Sequence, residues 1–473
     1  MRFLFIMAAL ALAPIAVQAQ KSLEWVGTWT GTLSSSYGDL ELIITVQARK
    51  TGWLSRISVP SQNLQEMAVT STQISKKNFT LTNSVPNFTF EAKRTDSNTI
   101  KGYWLQNDNK TPLKLTRVWG EWPKPKKQTP LPPYTWIKEE IKLPVAGGRI
   151  MLAGELNKPD TVGQFPVVVL ISGSGAQDRD CKIGQHKPFL ILTQYFISKG
   201  HAVLRFDDRG AGKTKGHMPT MMASTSEDLA NDFVLMVDWL KNRTDIDTQS
   251  IGLLGHSEGG MIAPMVSAKR QDIAFLILLA APAAGGLEAN AYQNKIVLEK
   301  QKFKSKDIES FMQFHRLCLT KICGMNDTMG WKDTVALVLK NWEKGATKKA
   351  KKIVYQGDKK DNEVVFKTYK TFFMPWMKFY INYQPEIDLK KVNSRVLALN
   401  GAQDQQVTCE SNLSIIKTAI PSAEVHCLPQ LNHLFQECNT CDVAEMLQLE
   451  ESLNNALFKR LDAWLSLSKA ASE

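Results

Sequence analysis

The sequence predicts an α/β protein: a mostly parallel sheet flanked by helices, carrying a helical cap insertion and preceded by a small β-rich N-terminal domain. Three observations lead there. Continuous apolar runs at Phe165 to Ile171, Ala202 to Phe206, Ser250 to Leu254, Ala274 to Leu279 and Ser394 to Leu399 alternate with amphipathic stretches, and strands that are apolar throughout belong in a parallel sheet buried on both faces. The alternation stops between Gly285 and Lys391, where a lysine-rich, helix-prone region intervenes. Before all of this, Leu23 to Val118 shows only short β-like runs separated by polar turns. A chain of 473 residues, 43% hydrophobic and 22% charged, is too long for one ordinary domain and has the composition of a globular protein.

Taken in order, the N-terminus reads Met1-Arg2, an apolar run from Phe3 to Val17, and small residues at Ala16 and Ala19. That is the pattern of a cleaved secretory signal over residues 1–19, and the run falls short of a bilayer span. The mature chain is therefore expected outside the cytoplasm, periplasmic or secreted, with no integral membrane segment. Residues 20–122 form the β-rich domain. Its opening, Trp25-Val26-Gly27-Thr28-Trp29, resembles the G-x-W start of lipocalin-type barrels; a shield or oligomer contact without a ligand of its own is the other reading. Residues 123–133 contain five prolines and three lysines and read as a linker. The remainder, 134–473, is one domain with the cap inserted at 285–391. Within it, Glu227 to Leu240 has apolar residues at helical spacing behind a Ser224-x-x-Glu227 capping box. In the cap, Trp342, Tyr369, Phe372, Phe373, Trp376 and Phe379 either line a substrate entrance or glue the cap to the sheet.

The formal charge of +12 is partly concentrated in Lys348-Lys349-Ala350-Lys351-Lys352 and Lys359-Lys360. In a helical segment such a run reads as a solvated face, and no nucleic-acid partner is expected. Seven cysteines allow up to three disulfides with one thiol left over. Cys438 and Cys441 form a C-x-x-C and Cys318 and Cys323 a looser pair; structural cysteines are the expectation over a zinc or redox site.

The chemistry is concentrated in Ile251-Gly252-Leu253-Leu254-Gly255-His256-Ser257-Glu258-Gly259-Gly260, a short apolar strand running into G-x-S-x-G and then a helix. This is a nucleophile elbow, whose turn is too tight for side chains two positions either side of Ser257. A serine hydroxyl needs a base, and the base an orienting acid, in the chain order Ser, acid, His. Asp404 follows the strand ending in Leu397-Ala398-Leu399-Asn400-Gly401, and His433 lies in the loop after the next strand, Ala423 to Leu428. An oxyanion hole requires two backbone N–H groups. Glu258 is expected to supply one and Ser174, in Ser172-Gly173-Ser174-Gly175-Ala176, the other, with Gly175 as the alternative.

Gly173-Ser174-Gly175-Ala176-Gln177-Asp178-Arg179-Asp180, Arg205-Phe206-Asp207-Asp208-Arg209-Gly210-Ala211-Gly212-Lys213, Gly255-His256-Ser257-Glu258-Gly259-Gly260 and Leu431-Asn432-His433 together resemble the successive motifs of bacterial exported esterases in the α/β-hydrolase superfamily. More narrowly they resemble the esterase D type, whose members are similar to acyl-peptidases and serine aminopeptidases. Ala176 and Lys213 depart from the family pattern without touching the triad. The resemblance implies the α/β-hydrolase fold and hydrolysis of a small ester or acyl substrate, with no metal and no cofactor. Asp178, Arg179, Asp207, Asp208 and Arg209 are expected to knit loops together rather than react. A serine aminopeptidase, an acyl-peptidase or a thioesterase would share the triad, and acidic cap residues such as Glu288, Glu299 and Asp307 leave an amine-gripping pair open. A catalytically silent binding protein is disfavoured by the intact Ser257, Asp404 and His433. Acyl preference and oligomeric state are not encoded in periodicity.

Overall fold

The computed structural model describes residues 23–470 apart from 36–37, 50–51, 60–63, 76, 107–108, 119–125, 217–222 and 326–327. The expected signal, residues 1–19, lies outside them. The chain divides into two compact units, with the main boundary between Pro125 and Lys126.

The first unit is a nine-stranded antiparallel sheet: β1 Gly27–Ser35, β2 Gly38–Arg49, β3 Gly52–Val59, β4 Leu64–Ala68, β5 Ser71–Ile74, β6 Asn78–Ser84, β7 Asn87–Arg94, β8 Thr99–Gln106 and β9 Asn109–Val118. Its order is β4-β3-β2-β1-β9-β8-β7-β6-β5, so the first strand pairs with the last. Alternate residues point inward, Phe79 and Leu81 from β6 and Phe88, Phe90 and Ala92 from β7, as the period of two requires. Trp25 and Trp29 are buried; Trp25 stacks on Phe79 at 5.6 Å between ring centres, and the Trp29 indole donates to the Trp25 carbonyl at 3.1 Å.

The second unit holds β10 Ile137–Val145, β11 Ile150–Lys158, β12 Phe165–Ile171, β13 Ala202–Phe206, the two-residue β14 Lys215–Gly216, β15 Ile246–His256, β16 Phe275–Leu279, β17 Arg395–Gly401 and β18 Glu424–Leu428. The strand order is β10-β11-β13-β12-β15-β16-β17-β18, antiparallel as far as β13 and parallel beyond it, with β14 paired to β11. One face packs on α2 Ser226–Lys241, α3 Glu258–Lys269 and α11 Cys409–Ala419, the other on α1 Pro188–Ser198 and α12 Asn455–Ala470. This is the α/β-hydrolase fold.

Three particulars differ from or extend the sequence reading. From Lys126 the proline-rich stretch belongs to the second unit: Gln128 donates to the Leu453 carbonyl at 2.7 Å and accepts from the Leu453 N–H at 3.0 Å, so its polar groups are paired as a linker's would not be. The capping box of α2 is Thr225 with Asp228, one residue later than expected; Ser224 instead accepts from Arg209 at 3.3 Å. Two disulfides form, Cys409–Cys427 and Cys438–Cys441, while Cys181, Cys318 and Cys323 are free thiols buried in apolar surroundings.

Between β16 and β17 lie α4 Gly286–Lys300, α5 Ser305–Cys323, α6 Trp331–Trp342, α7 Lys348–Tyr355, α8 Asn362–Lys370, α9 Pro375–Asn382 and α10 Pro385–Leu389. These helices surround a core of their own that includes Phe311, Phe314, Leu319, Tyr369 and Phe372. The basic run lies on α7, which buries Ala350, Val354 and Tyr355 while Lys348, Lys349 and Lys352 face water. Among the described residues no helix is long and apolar enough to cross a membrane.

Candidate active site

Four loops at the C-terminal ends of the parallel strands build the site. β15 ends at His256, and Ser257 turns the chain into α3 with φ +56° and ψ −123°, a left-handed conformation that L-residues avoid. The flanking glycines make the turn sterically feasible. A Cβ on Gly255 would lie 2.0 Å from the Gly259 carbonyl oxygen, and one on Gly259 would lie 2.1 Å from that of Ile171. The Ser257 N–H is tied to the Leu279 carbonyl at 2.8 Å. The elbow is thus wedged between β12 and β16.

The loop after β12 passes directly over Ser257: a Cβ on Gly173 would be 3.1 Å from Ser257 Cβ and 3.6 Å from its Oγ. The same loop carries Ser174 and is shaped from below by Asp208, which accepts from Ser172 Oγ at 2.7 Å and from the Gln177 N–H at 3.0 Å. Gln177 in turn donates its side-chain amide to the Ser174 carbonyl at 3.1 Å. Burial, reinforced by the nearby Glu258 and Asp207 carboxyls, pushes Asp208 up to about 7. Arg179 pairs with Asp207 at 2.9 Å and Arg209 with Asp232 at 2.6 Å, and Asp178 accepts from the Asp180 and Lys182 N–H groups. All of this group organises loops.

Asp404 follows β17 with its carboxylate buried. One oxygen accepts from the N–H groups of Gln406 at 2.7 Å and Val407 at 2.9 Å; the other accepts from His433 Nδ1 at 2.8 Å. The Asp404 and His433 loops pass backbone to backbone, since a Cβ on Gly401 would meet the Leu431 carbonyl oxygen at 2.2 Å. His433 is presented by a tight turn framed by the fully buried Asn432, whose side-chain oxygen accepts from the N–H groups of Leu434 at 2.9 Å and Gln436 at 3.0 Å. Gln436 anchors the turn from outside by donating to the Glu451 carbonyl at 2.7 Å. His426 stays apart on β18, paired with Glu424.

The structure therefore joins Asp404 to His433 directly. Among the described residues no hydrogen bond joins Ser257 Oγ to His433; His433 meets the elbow instead through His256, whose Nε2 lies 2.9 Å from the His433 carbonyl oxygen and whose ring centre is 4.9 Å from that of His433. Glu258 opens α3 with a side chain that is 1% exposed. It accepts from Ser226 Oγ at 2.6 Å and from the cap's Trp376 indole at 2.8 Å, and burial raises its carboxyl above the usual range. The cap also reaches the acid loop, where Tyr292 on α4 donates to the Asp404 carbonyl at 3.1 Å.

His256, Tyr292 and Gln436 were not singled out from the sequence as site residues, and Trp376 was named only within the group of cap aromatics. His256 occupies the free position of G-x-S-x-G, and the others come from elements 30 or more residues from the motif whose apposition only the fold creates. Of the cap aromatics, Tyr369 and Phe372 sit in the cap's own core, while Phe379 packs on the main core and Trp376 reaches Glu258, both joining the cap to the main domain. The cysteines of the C-x-x-C are bonded to each other beside Glu445, whose carboxylate accepts from the N–H groups of Asn439, Thr440 and Cys441.

Comparison with known proteins adds the lineage. The chain is 31% identical over 176 residues to esterase EstD of Thermotoga maritima, a match covering 34% of this chain and 41% of that protein, so it spans about two fifths of that relative's length. Among solved structures it resembles the Pyrococcus furiosus esterase Pf2001 (TM-score 0.38, 15% identity, 66% of this chain and 87% of that one). It also resembles the ferulic-acid-bound Est1E of Butyrivibrio proteoclasticus (TM-score 0.38, 17% identity, 65% and 95%). Likenesses this distant carry no weight in the assignment. The family model for X-Pro dipeptidyl-peptidases (S15) matches residues 147–419, more than half of the chain, and the protein belongs to that family of serine hydrolases.

Proposed function

We propose that the protein is an exported serine hydrolase that cleaves carboxylic esters through an acyl-enzyme on Ser257. The observation that carries the reading is the buried Asp404–His433 hydrogen bond of 2.8 Å beside a serine held at φ +56° on a strand-to-helix turn. Asp404 accepts a hydrogen bond from His433 Nδ1–H, which keeps that proton on Nδ1 and leaves Nε2 unprotonated and free to act as base. As Ser257 Oγ attacks the substrate carbonyl, its proton passes to Nε2. The oxyanion is held by the N–H of Glu258 at the start of α3 and by the N–H of Ser174, where the helix dipole adds to the attraction. The protonated His433 then gives its proton to the departing alkoxide, and water, deprotonated by the same imidazole, releases the acid and restores Ser257. No step calls on a metal or cofactor.

Export is supported by the signal-like residues 1–19 and by two disulfides, which persist in oxidising compartments. It is tested by fractionating cells and sequencing the mature N-terminus; an intact Met1 on cytoplasmic protein would overturn it. The family match favours a second reading, cleavage of peptides by the same machinery. The decisive experiment compares p-nitrophenyl esters of increasing chain length with aminoacyl and X-Pro p-nitroanilides, using the mature protein and Ser257→Ala. Ester turnover abolished by the substitution supports the esterase reading. Anilide turnover alone moves the assignment to a peptidase, and activity surviving in Ser257→Ala removes Ser257 from the chemistry.

A further inference from the structure

We infer that His256 is a positioning residue for the reaction: its Nε2–H grips the main-chain carbonyl of His433 and so registers the base against the nucleophile next to it in the chain. The inference rests on the reading of Ser257, Asp404 and His433 just given. Its geometry is simple. His256 is the last residue of β15 and is covalently joined to Ser257, while its ring nitrogen lies 2.9 Å from the His433 oxygen. A carbonyl oxygen only accepts, so Nε2 must carry the proton, and the ring is the neutral Nε2–H tautomer.

The surroundings hold it in that state. His256 is 7% exposed and lines a small apolar cavity with Phe189, Leu192, Leu279, Leu434 and Phe435. Burial, and next the charge His433 can carry, hold its pKa down at about 4. When His433 becomes an imidazolium, the ring 4.9 Å away remains uncharged and does not oppose it. A cation at that position would.

Its role follows from what else holds the base. Asp404 fixes Nδ1 and hence the tautomer and the ring's rotation, and Asn432 with Gln436 fixes the shape of the turn. None of these contacts refers the His433 turn to the elbow, which arrives from a different strand. The His256 bond does so by one hydrogen bond and one peptide unit, the shortest path between the two loops. Because a shift of about 1 Å between reacting groups can cost about 100-fold in rate, losing this tie is expected to lower kcat by about 10- to 100-fold without weakening substrate binding.

The test uses the full mature protein and four variants, with Ser257→Ala as the control. His256→Leu removes the donor and keeps much of the volume; His256→Gln can place a side-chain N–H near the position of Nε2; His256→Asn keeps polarity but is one methylene shorter than Gln; His256→Phe keeps the aromatic shape. The expected result is a fall in kcat for Leu, Phe and Asn of about 10- to 100-fold with KM within about threefold, and recovery by Gln to within about fivefold of wild type. The rate at which a fluorophosphonate labels Ser257 should fall and recover in parallel. Wild-type kcat in Leu or Phe, equal impairment in Gln and Asn, or a loss carried by KM would each overturn the inference. If Leu and Phe fail to fold, as thermal melting would reveal, the comparison of Gln with Asn still decides it. Activity retained in Ser257→Ala would instead strike at the triad itself.

Discussion

Asp404→Asn separates charge from shape at the site. The carboxylate is surrounded by donors alone: the Gln406 and Val407 N–H groups at 2.7 and 2.9 Å on one oxygen, and His433 Nδ1 at 2.8 Å with a long contact from Asn400 Nδ2 at 3.5 Å on the other. An asparagine has one acceptor and one donor to offer them. Turning its oxygen to the two backbone N–H groups keeps both bonds and faces an NH2 toward Nδ1, which must then give up its proton and leave His433 as the Nε2–H tautomer. That tautomer cannot accept the proton of Ser257. The reverse orientation leaves two N–H donors facing an NH2 in a buried site, at about 1–3 kcal/mol each. The unreactive arrangement is therefore favoured by about 2–6 kcal/mol, and the carboxylate's attraction for the imidazolium is lost as well. Together these predict a drop in kcat of about 10³- to 10⁴-fold, the scale such a swap produces in triads of this kind. KM and the melting temperature should barely move, because the loop's two backbone bonds survive. Stopped-flow hydrolysis of p-nitrophenyl acetate under saturating conditions measures it; a folded variant with kcat within tenfold of wild type would refute the reasoning.

Gly259→Ala places a Cβ 2.1 Å from the Ile171 and 2.6 Å from the Ser172 carbonyl oxygens; it should cost about 3 kcal/mol in urea unfolding and about 100-fold in rate, and an unaffected variant would show the elbow to be looser than described. The Cys409–Cys427 bridge closes a separation of 18 residues between α11 and β18, flanking the Asp404 and His433 loops. Replacing both cysteines by alanine should lower stability by about 3 kcal/mol in the same assay, through the entropy of the unfolded chain. Asp208 is pushed up to about 7 by burial, so the folded state holds a proton that the unfolded chain has released. Its contribution is complete below pH 4 and is lost as pH rises toward about 7, above which it is constant. Asp208→Asn should flatten the melting-temperature profile across that interval; an unchanged slope would reject the assignment.

The elbow was legible because its pattern is short and sits between a recognisable strand and helix. Gly255 is constrained within the turn itself, by the Gly259 carbonyl, whereas Gly259 is constrained by the Ile171 and Ser172 carbonyls at the end of β12, a contact that only the fold supplies. The apolar runs of β12, β13, β15, β16 and β17 likewise announced a buried parallel sheet, and the chain order of Asp404 and His433 followed from the strands before them. The capping box was misplaced by one residue because Ser224-x-x-Glu227 and Thr225-x-x-Asp228 satisfy the same pattern, and only the pull of Arg209 on Ser224 decides between them. The cysteine pairing was out of reach for a related reason: Cys409 and Cys427 meet because α11 packs back along β18, a distance in space that spacing along the chain does not record.

Sequence by itself determined the class of fold and the strand-to-helix turn that carries Ser257, and it named Asp404 and His433 as candidate partners, because strand periodicity, the G-x-S-x-G spacing and the order of residues along the chain are all written in the sequence. Tertiary structure alone decided how His433 is held. The grip of His256 on His433, the seating of Trp376 on Glu258 and the reach of Tyr292 to the Asp404 loop each join groups more than 100 residues apart, and hydrogen bonds of that kind exist only once the sheet has brought its loops to one edge.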